Sequence, residues 1–267
     1  MELPTRKPPE DGETLFGEHV NTMKIAILSD IHSNLEALTA CRDLALAHGV
    51  EKFVCLGDSV GYGADPCPTL DLLLSLPGLV AVLGNHDEYV IMDAQLPISP
   101  VIKQSADWTR SQLRQKHLDF LGSLPYQVVE NGVTYVHASA ANPYEWDYLL
   151  DKAKVWHCME AAETSLVFIG HVHIPAIFRE TEAGPVELIT PEEEKEYALV
   201  PRMRHVVNVG SVGQPRDDDN RASFVIYDDR NDSIVFHRVP YDFSTTGRKI
   251  LDAGMNPFFA ERLALGH

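Results

Sequence analysis

The sequence predicts an α/β fold in which helices cover a parallel sheet. Three observations predict it: apolar runs of strand length recur along the chain, segments of helical period separate the first of them, and the runs end in Gly, Asp, Asn or His. Buried parallel strands read as near-continuous apolar runs, and open α/β sheets collect their binding groups at the carboxyl ends of such strands. With 267 residues, 45% of them hydrophobic, the chain is long enough for one substantial core.

Residues 1–22, rich in Pro, Glu and Gly without a sustained apolar period, predict a flexible N-terminal extension ahead of a single domain over 23–267. The run Lys24-Ile25-Ala26-Ile27-Leu28-Ser29-Asp30-Ile31-His32 predicts a buried strand that delivers a carboxylate and an imidazole two positions apart. If strand geometry persists to its end, Asp30 and His32 point to the same face. Leu35, Leu38, Cys41, Leu44, Ala45 and His48 fall near helical spacing, and Gly49 is placed to stop that helix. The next strand, Lys52 to Leu56, runs into Gly57-Asp58-Ser59-Val60-Gly61-Tyr62-Gly63, where glycines allow a sharp turn beside a ligand. A short helix over 69–76 leads through Pro77-Gly78 to a third strand, Leu79 to Leu83, ending at Gly84-Asn85-His86-Asp87. A β-α-β-α-β order implies a parallel sheet with helix-covered faces.

Residues 100–124 read as a helix closed by Pro125. The runs Tyr126 to Val129 and Val133 to Val136, joined at Asn131-Gly132, predict a hairpin whose second strand ends at His137. A helix over 149–162 precedes the strand Leu166 to Ile169, which ends at Gly170-His171-Val172-His173. From 174 to 240 the pattern changes to shorter strands at 205–209, 223–227 and 234–239, which a second sheet packed on the first accommodates. Glu192 to Glu194 reads as an exposed loop, and 243–267 as one or two short amphipathic helices.

A net charge of −17 repels phosphate polymers over most of the surface, so no stable nucleic-acid partner is expected. A small anionic substrate would need a local positive centre, which metal ions supply. Cysteines 41, 55, 67 and 158 have no Cys-x-x-Cys spacing and read as reduced thiols, Cys55 packing in a strand. No apolar run reaches the roughly 18 residues that span a bilayer, and the N-terminus lacks the basic-then-apolar order of a signal peptide. The expectation is a cytoplasmic protein with no membrane partner.

Taken in order, Asp30-x-His32, Gly57-Asp58, Gly84-Asn85-His86-Asp87, His137 and Gly170-His171-x-His173 resemble the calcineurin-like metallophosphoesterase family over residues 24–215. The resemblance implies a four-layer αββα sandwich, two mixed sheets flanked by helices, with a two-metal site on one edge of the paired sheets. It implies one divalent cation on Asp30, His32 and His173, a second on Asn85, His137 and His171, and Asp58 bridging both. It further implies in-line attack on phosphorus by a hydroxide shared between the cations, with His86 as general acid toward the leaving oxygen. Asp87 is placed to tune His86, although adjacent side chains usually diverge. The stretch Asn208 to Arg216 resembles the family's Gly-Ser segment, and Arg216 reads either as a bidentate phosphate clamp or as a surface ion pair with Asp217 to Asp219.

The chain departs from the protein phosphatases of this superfamily, which carry an acidic residue and an arginine where it has Gly61 and Tyr62, and an arginine where it has Glu88-Tyr89. It is more similar to the small bacterial and archaeal predicted phosphodiesterases, to which Gly57 to Gly63 and Trp108-Thr109-Arg110 also correspond. The implied activity is phosphodiester hydrolysis of a small or nucleotide-like phosphoester. The alternatives are a non-catalytic metal-binding scaffold subunit, a phosphomonoesterase or protein phosphatase, and a nuclease, the last disfavoured by the acidic surface. Mixed nitrogen and oxygen donors suit Mn, Fe, Zn, Co or Ni. His48, His117, His157, His205 and His237 follow no such pattern and read as structural.

Overall fold

The structure, a computed structural model, describes residues 23–92, 98–184 and 186–267. The extension expected over 1–22 lies outside the described residues. The elements run β1 (Lys24–Leu28), α1 (Leu35–Ala47), β2 (Lys52–Cys55), α2 (Pro66–Leu74), β3 (Val80–Ala81), α3 (Asn85–Ile91), α4 (Pro100–Gln112) and α5 (Gln115–Ser123). There follow β4 (Gln127–Glu130), β5 (Val133–Val136), α6 (Lys152–Ala161), β6 (Leu166–Ile169), β7 (Ala176–Glu180) and β8 (Val186–Ile189). The chain closes with β9 (Glu196–Ala198), β10 (His205–Asn208), β11 (Ala222–Asp228), β12 (Ser233–Val239), α7 (Phe243–Asp252) and α8 (Pro257–Leu265).

Two six-stranded mixed sheets result, in the orders β3-β2-β1-β11-β12-β9 and β4-β5-β6-β10-β7-β8. In β1 the side chains alternate between two cores, as the pleat requires. Ile25 and Ile27 join Val54, Tyr135, Phe168, Val207 and Phe236 between the sheets, while Ala26 and Leu28 join Leu38, Phe53, Leu70 and Leu121 beneath the helices. Behind the second sheet, Val155, Cys158 and Met159 of α6 pack on Val136, Val167 and Ile169. The layer order is therefore helix, sheet, sheet, helix. β1 pairs with β2 in parallel and with β11 antiparallel, so the first sheet is parallel only over β3-β2-β1.

The hairpin forms as its turn residues predict. Asn131 and Gly132 both take positive φ, at 49° and 78°, between paired β4 and β5. The helix expected over 100–124 is instead two helices, broken where Leu113 and Arg114 are both extended. Leu113 packs with Leu118 and Phe120 against the core, and the break lets both helices reach it. Arg110 donates from Nη1 to the carbonyls of Val90 and Ile91 at 2.8 Å each, so α4 caps the end of α3. Strands β7, β8 and β9 carried no recognisable pattern in the sequence. Among the described residues, no helix is long and apolar enough to cross a membrane.

Candidate metal centre

Five loops meet at one rim of the paired sheets. Main-chain bonds continue the β1–β2 pairing past the strands, with Asp30 N–H on Gly57 O at 3.1 Å and His32 N–H on Asp58 O at 2.9 Å. In the second sheet Gly170 N–H reaches His137 O at 2.9 Å. Gly170 lets its loop lie against the loop after β1, because a Cβ there would overlap Ser29 Oγ. The extended geometry expected for Asp30 and His32 does not persist. Asp30, His32, Asp58, His171 and His173 all sit in the left-handed region, with φ between 51° and 65°. These five are aimed by turns and not by strand alternation. Such backbone strain persists only where surrounding contacts hold it, and it clusters at functional sites.

The side chains form two groups, Asp30 with His32 and His173, and Asp58 with His137 and His171; in each, the candidate ligand atoms lie within 4.8 Å of one another. In the first, His173 Nε2 is 3.1 Å from Asp30 Oδ1 and 3.4 Å from His32 Nε2. In the second, His137 Nε2 is 3.5 Å from Asp58 Oδ2, 3.2 Å from His171 Nδ1 and 3.1 Å from Asn85 Oδ1. Asp58 Oδ2 also lies 3.7 Å from His32 Nε2, so one oxygen stands between the groups. All seven of these residues are buried.

The donor set fits a pair of cations. One ring nitrogen of each imidazole is held by a main-chain carbonyl: His32 Nδ1 by Val60, His137 Nδ1 by Leu56, His173 Nδ1 by Gln214 and His171 Nε2 by Trp146, at 2.6 to 3.2 Å. A carbonyl only accepts, so that nitrogen carries the hydrogen, and in a neutral ring the inward nitrogen presents a lone pair. These lone pairs converge with two carboxylates, and buried Asp30 Oδ1 has no hydrogen-bond partner. A pair of divalent cations would satisfy all of them together.

Protein charges set the titration of the cluster. Burial alone would raise Asp30 and Asp58, but nearby imidazoles outweigh it and hold both well below the usual carboxylate range. Burial would lower His137, yet Asp58 and Asp30 raise it to about 9. His86 is lowered to about 4, chiefly by burial, with the Arg216 guanidinium adding to the effect. His171 falls to about 3 by burial and the charge of His137.

His86 lies beside the two groups without joining them. Its main-chain N–H donates to Asp58 Oδ1 at 2.7 Å, and its ring rests 4.3 Å from Tyr62 and 5.1 Å from His32, centroid to centroid. Asp87 does not tune it. The Asp87 carboxylate turns away to accept Val60 N–H at 3.1 Å and Gly84 N–H at 3.2 Å, closing the start of α3. Burial and the charge of Asp58 raise it to about 8. Arg216 has no carboxylate at ion-pair distance among the described residues; Nη2 donates to Gln214 Oε1 at 3.1 Å, and buried Nε has no partner. The acidic run beside it is engaged elsewhere, Asp217 with Arg238 and Asp219 with Arg221.

Several rim residues escaped the sequence reading. Glu88 accepts from Tyr126 Oη at 2.6 Å and Trp146 Nε1 at 3.1 Å, fixing the loop whose Trp146 carbonyl holds His171. Tyr148 stacks on His171 at 4.1 Å and is 45% exposed. The available signal was three aromatics, Tyr144, Trp146 and Tyr148, in a loop of no regular period. Of the remaining histidines, His117 bonds Asp71 at 3.0 Å and His237 bonds Glu194 at 3.0 Å, both far from the rim in their contacts.

The comparisons agree with this geometry. Residues 23–232 match the model of the calcineurin-like phosphoesterase superfamily domain. An uncharacterised protein of Methanocaldococcus jannaschii is 38% identical over 251 residues, covering 91% of this chain and 98% of that protein. The crystal structure of a metallophosphoesterase from Sphaerobacter thermophilus superposes with a TM-score of 0.83 at 36% identity, covering 92% of this chain and 100% of that one. A hypothetical protein from Pyrococcus horikoshii shares the fold, with a TM-score of 0.76 at 20% identity over 91% of this chain and 98% of its own. With two ligand groups on the rim of an αββα sandwich and a family match over most of its length, the chain belongs to the calcineurin-like phosphoesterase superfamily.

Proposed function

We propose that this protein is a phosphodiesterase that uses two divalent cations to hydrolyse a small or nucleotide-like phosphoester. The observation that carries the reading is Asp58 Oδ2, 3.7 Å from His32 of one ligand group and 3.5 Å from His137 of the other. Asp30, His32 and His173 would hold one cation, Asn85, His137 and His171 the second, and Asp58 both. When bound, such a pair supplies a nucleophile from water near neutral pH and draws charge from the phosphoryl oxygens.

The chain's own groups do the rest. His86 faces the space beside Asp58 as a neutral imidazole at pH 7, and as such it donates an N–H to the leaving oxygen and orients it. Arg216, with no carboxylate partner among the described residues, pairs with non-bridging phosphoryl oxygens. Tyr62, packed on His32 and His86, keeps water from that side. After Asn85-His86 the chain offers Glu88 and Tyr89 where a grip on a dianionic monoester would need cations, which favours the singly charged diester.

Purified protein supplied with Mn²⁺ should hydrolyse bis-p-nitrophenyl phosphate faster than p-nitrophenyl phosphate and lose both activities to a chelator. Absence of diester turnover across Mn²⁺, Fe²⁺, Zn²⁺, Co²⁺ and Ni²⁺ would favour the scaffold reading.

A further inference from the structure

Beside the candidate metal centre stand aromatic rings that the phosphoesterase reading leaves unused. They form two arms rooted on adjoining candidate ligands, His137 and His171, whose ring centroids are 4.9 Å apart. On one arm Trp146 lies edge-on to His137 at 5.7 Å, Tyr126 is 5.8 Å from Trp146, and Tyr144 is 6.3 Å from Tyr126. On the other, Tyr148 stacks on His171 at 4.1 Å with the ring planes 26° apart. Polar bonds hold the loop that carries them. Glu88 accepts from Tyr126 Oη on one carboxylate oxygen and from Trp146 Nε1 on the other, and the Trp146 carbonyl holds His171 Nε2 at 2.9 Å.

Yet these fixed rings stay open to water. Tyr148 is 45% exposed and Tyr144 62%, and Leu150, two residues after Tyr148, is exposed as well. Single exposed apolar residues are ordinary, whereas a group of them beside a ligand cluster marks a binding face. Shielding His171 from water accounts for one face of Tyr148. It leaves the exposed part of Tyr148 unexplained, and it does not reach Tyr144, whose ring contact is with Tyr126. Position says what this face meets. His171 Nδ1 lies 3.2 Å from His137 Nε2, inside the second ligand group, so Tyr148 is one ring away from a candidate cation position. A phosphoester held there carries its ester groups within a few bonds of phosphorus, and a ring on one of them comes within reach of Tyr148. The chain's net charge of −17 opposes further anionic groups on a substrate, but a neutral ring adds contact without repulsion.

We propose that Tyr148 stacks against a planar ring of the substrate, so that the phosphoester taken is one of a nucleoside or an aryl alcohol in preference to an aliphatic alcohol. The proposal rests on the phosphoesterase reading for where the phosphoryl group is held. Tyr148 determines specificity and takes no part in breaking the bond. A ring laid on its open side gains offset stacking and leaves water together with the tyrosine, and stacking of a base on an aromatic side chain contributes about tenfold in affinity.

The test is calorimetric titration of Mn²⁺-loaded protein, at fixed free Mn²⁺, with adenosine 5′-monophosphate and with methyl ribofuranoside 5-phosphate, in which a methoxy group replaces the base. The nucleotide should bind about tenfold tighter. Tyr148→Leu should erase that ratio by weakening the nucleotide alone, and Tyr148→Trp should keep it, with melting temperatures and Mn²⁺ content confirming that both variants fold and load. No preference in the native protein, or a preference that survives Tyr148→Leu, overturns the stacking role. Equal weakening of both ligands by Tyr148→Leu, or loss of Mn²⁺ from it, would show that the ring only shields His171 and overturns the role as well. Hydrolysis of bis-p-nitrophenyl phosphate by the native protein separates the two ideas. Turnover without the base preference leaves the activity standing and removes the stacking role; a Tyr148-dependent preference without turnover does the reverse.

Discussion

Asp58 Oδ1 accepts the main-chain N–H of His86 at 2.7 Å, while Oδ2 of the same carboxylate stands between His32 and His137. One side chain thus fixes the start of α3, which carries Asn85 and His86, relative to both ligand groups. In the proposed reaction, cation binding and the candidate proton donor would be coupled through it.

Asp58→Asn separates these duties, because the amide oxygen still accepts from His86 N–H but the charge is gone. The variant should fold, bind fewer than two Mn²⁺ per chain by elemental analysis, and lose at least about 100-fold in diester turnover. Full occupancy with native turnover would remove Asp58 from its assigned place.

His86→Gln should leave the cation content unchanged and lower kcat by about 10² to 10⁴. Burial and Arg216 keep His86 neutral above about pH 4. The native kcat/KM should therefore show no descending limb between pH 5 and pH 8 that His86→Gln removes. Such a limb would mean that the imidazolium, and not the neutral ring, is the working form.

The pH dependence of stability should differ between the metal-free and the cation-loaded protein. His137 is held up to about 9 in the folded chain against an ordinary 6.5, so the folded state keeps an extra proton across that window. That contribution is complete below 6.5 and is lost as pH rises through 9. The depressed Asp30 and Asp58 lose theirs only as pH falls below about 3.8. A cation needs the deprotonated His137, so its binding strengthens over the same rise. The buried His32, His86, His171 and His173, held below 6.5, gain stability over the same rise and offset that loss, so from pH 6.5 to pH 9 the melting temperature of Mn²⁺-saturated protein should climb relative to that of chelator-treated protein. Equal slopes would contradict the placement of His137 among the ligands.

Gly61 stands at φ +90°, and a Cβ there would lie 3.0 Å from His86 Nδ1. Gly61→Ala should cost about 1 kcal/mol or more in a denaturant titration, because the left-handed backbone disfavours alanine. It should also lower kcat more than it raises KM, since it presses on His86 and touches no ligand. A variant with native kcat would show that the position of His86 is not critical.

Much of this site was legible because buried parallel strands announce themselves. Ile25 to Leu28 and Leu166 to Ile169 are covered on both faces, so their runs are apolar throughout, and the polar groups that follow stand out. Asn131-Gly132 gave the hairpin for the same local reason. β8, with exposed Leu188, and β9, a three-residue strand of Glu, Tyr and Ala, have no such run and take their conformation from their neighbours. What Asp87 and Glu88 do depends on which distant segments arrive beside them. Asp87 caps a turn that includes Val60, and Glu88 meets Tyr126 and Trp146. The strand reading of Asp30 and His32 had the wrong geometry, since both lie on left-handed turns.

Anomalous diffraction from a crystal grown with Mn²⁺ tests the central claim most directly. The paired-ligand account predicts two peaks about 3.5 to 4 Å apart, one against Asp30, His32 and His173, the other against Asn85, His137 and His171, with Asp58 touching both. A single peak, or two that do not share Asp58, would contradict it.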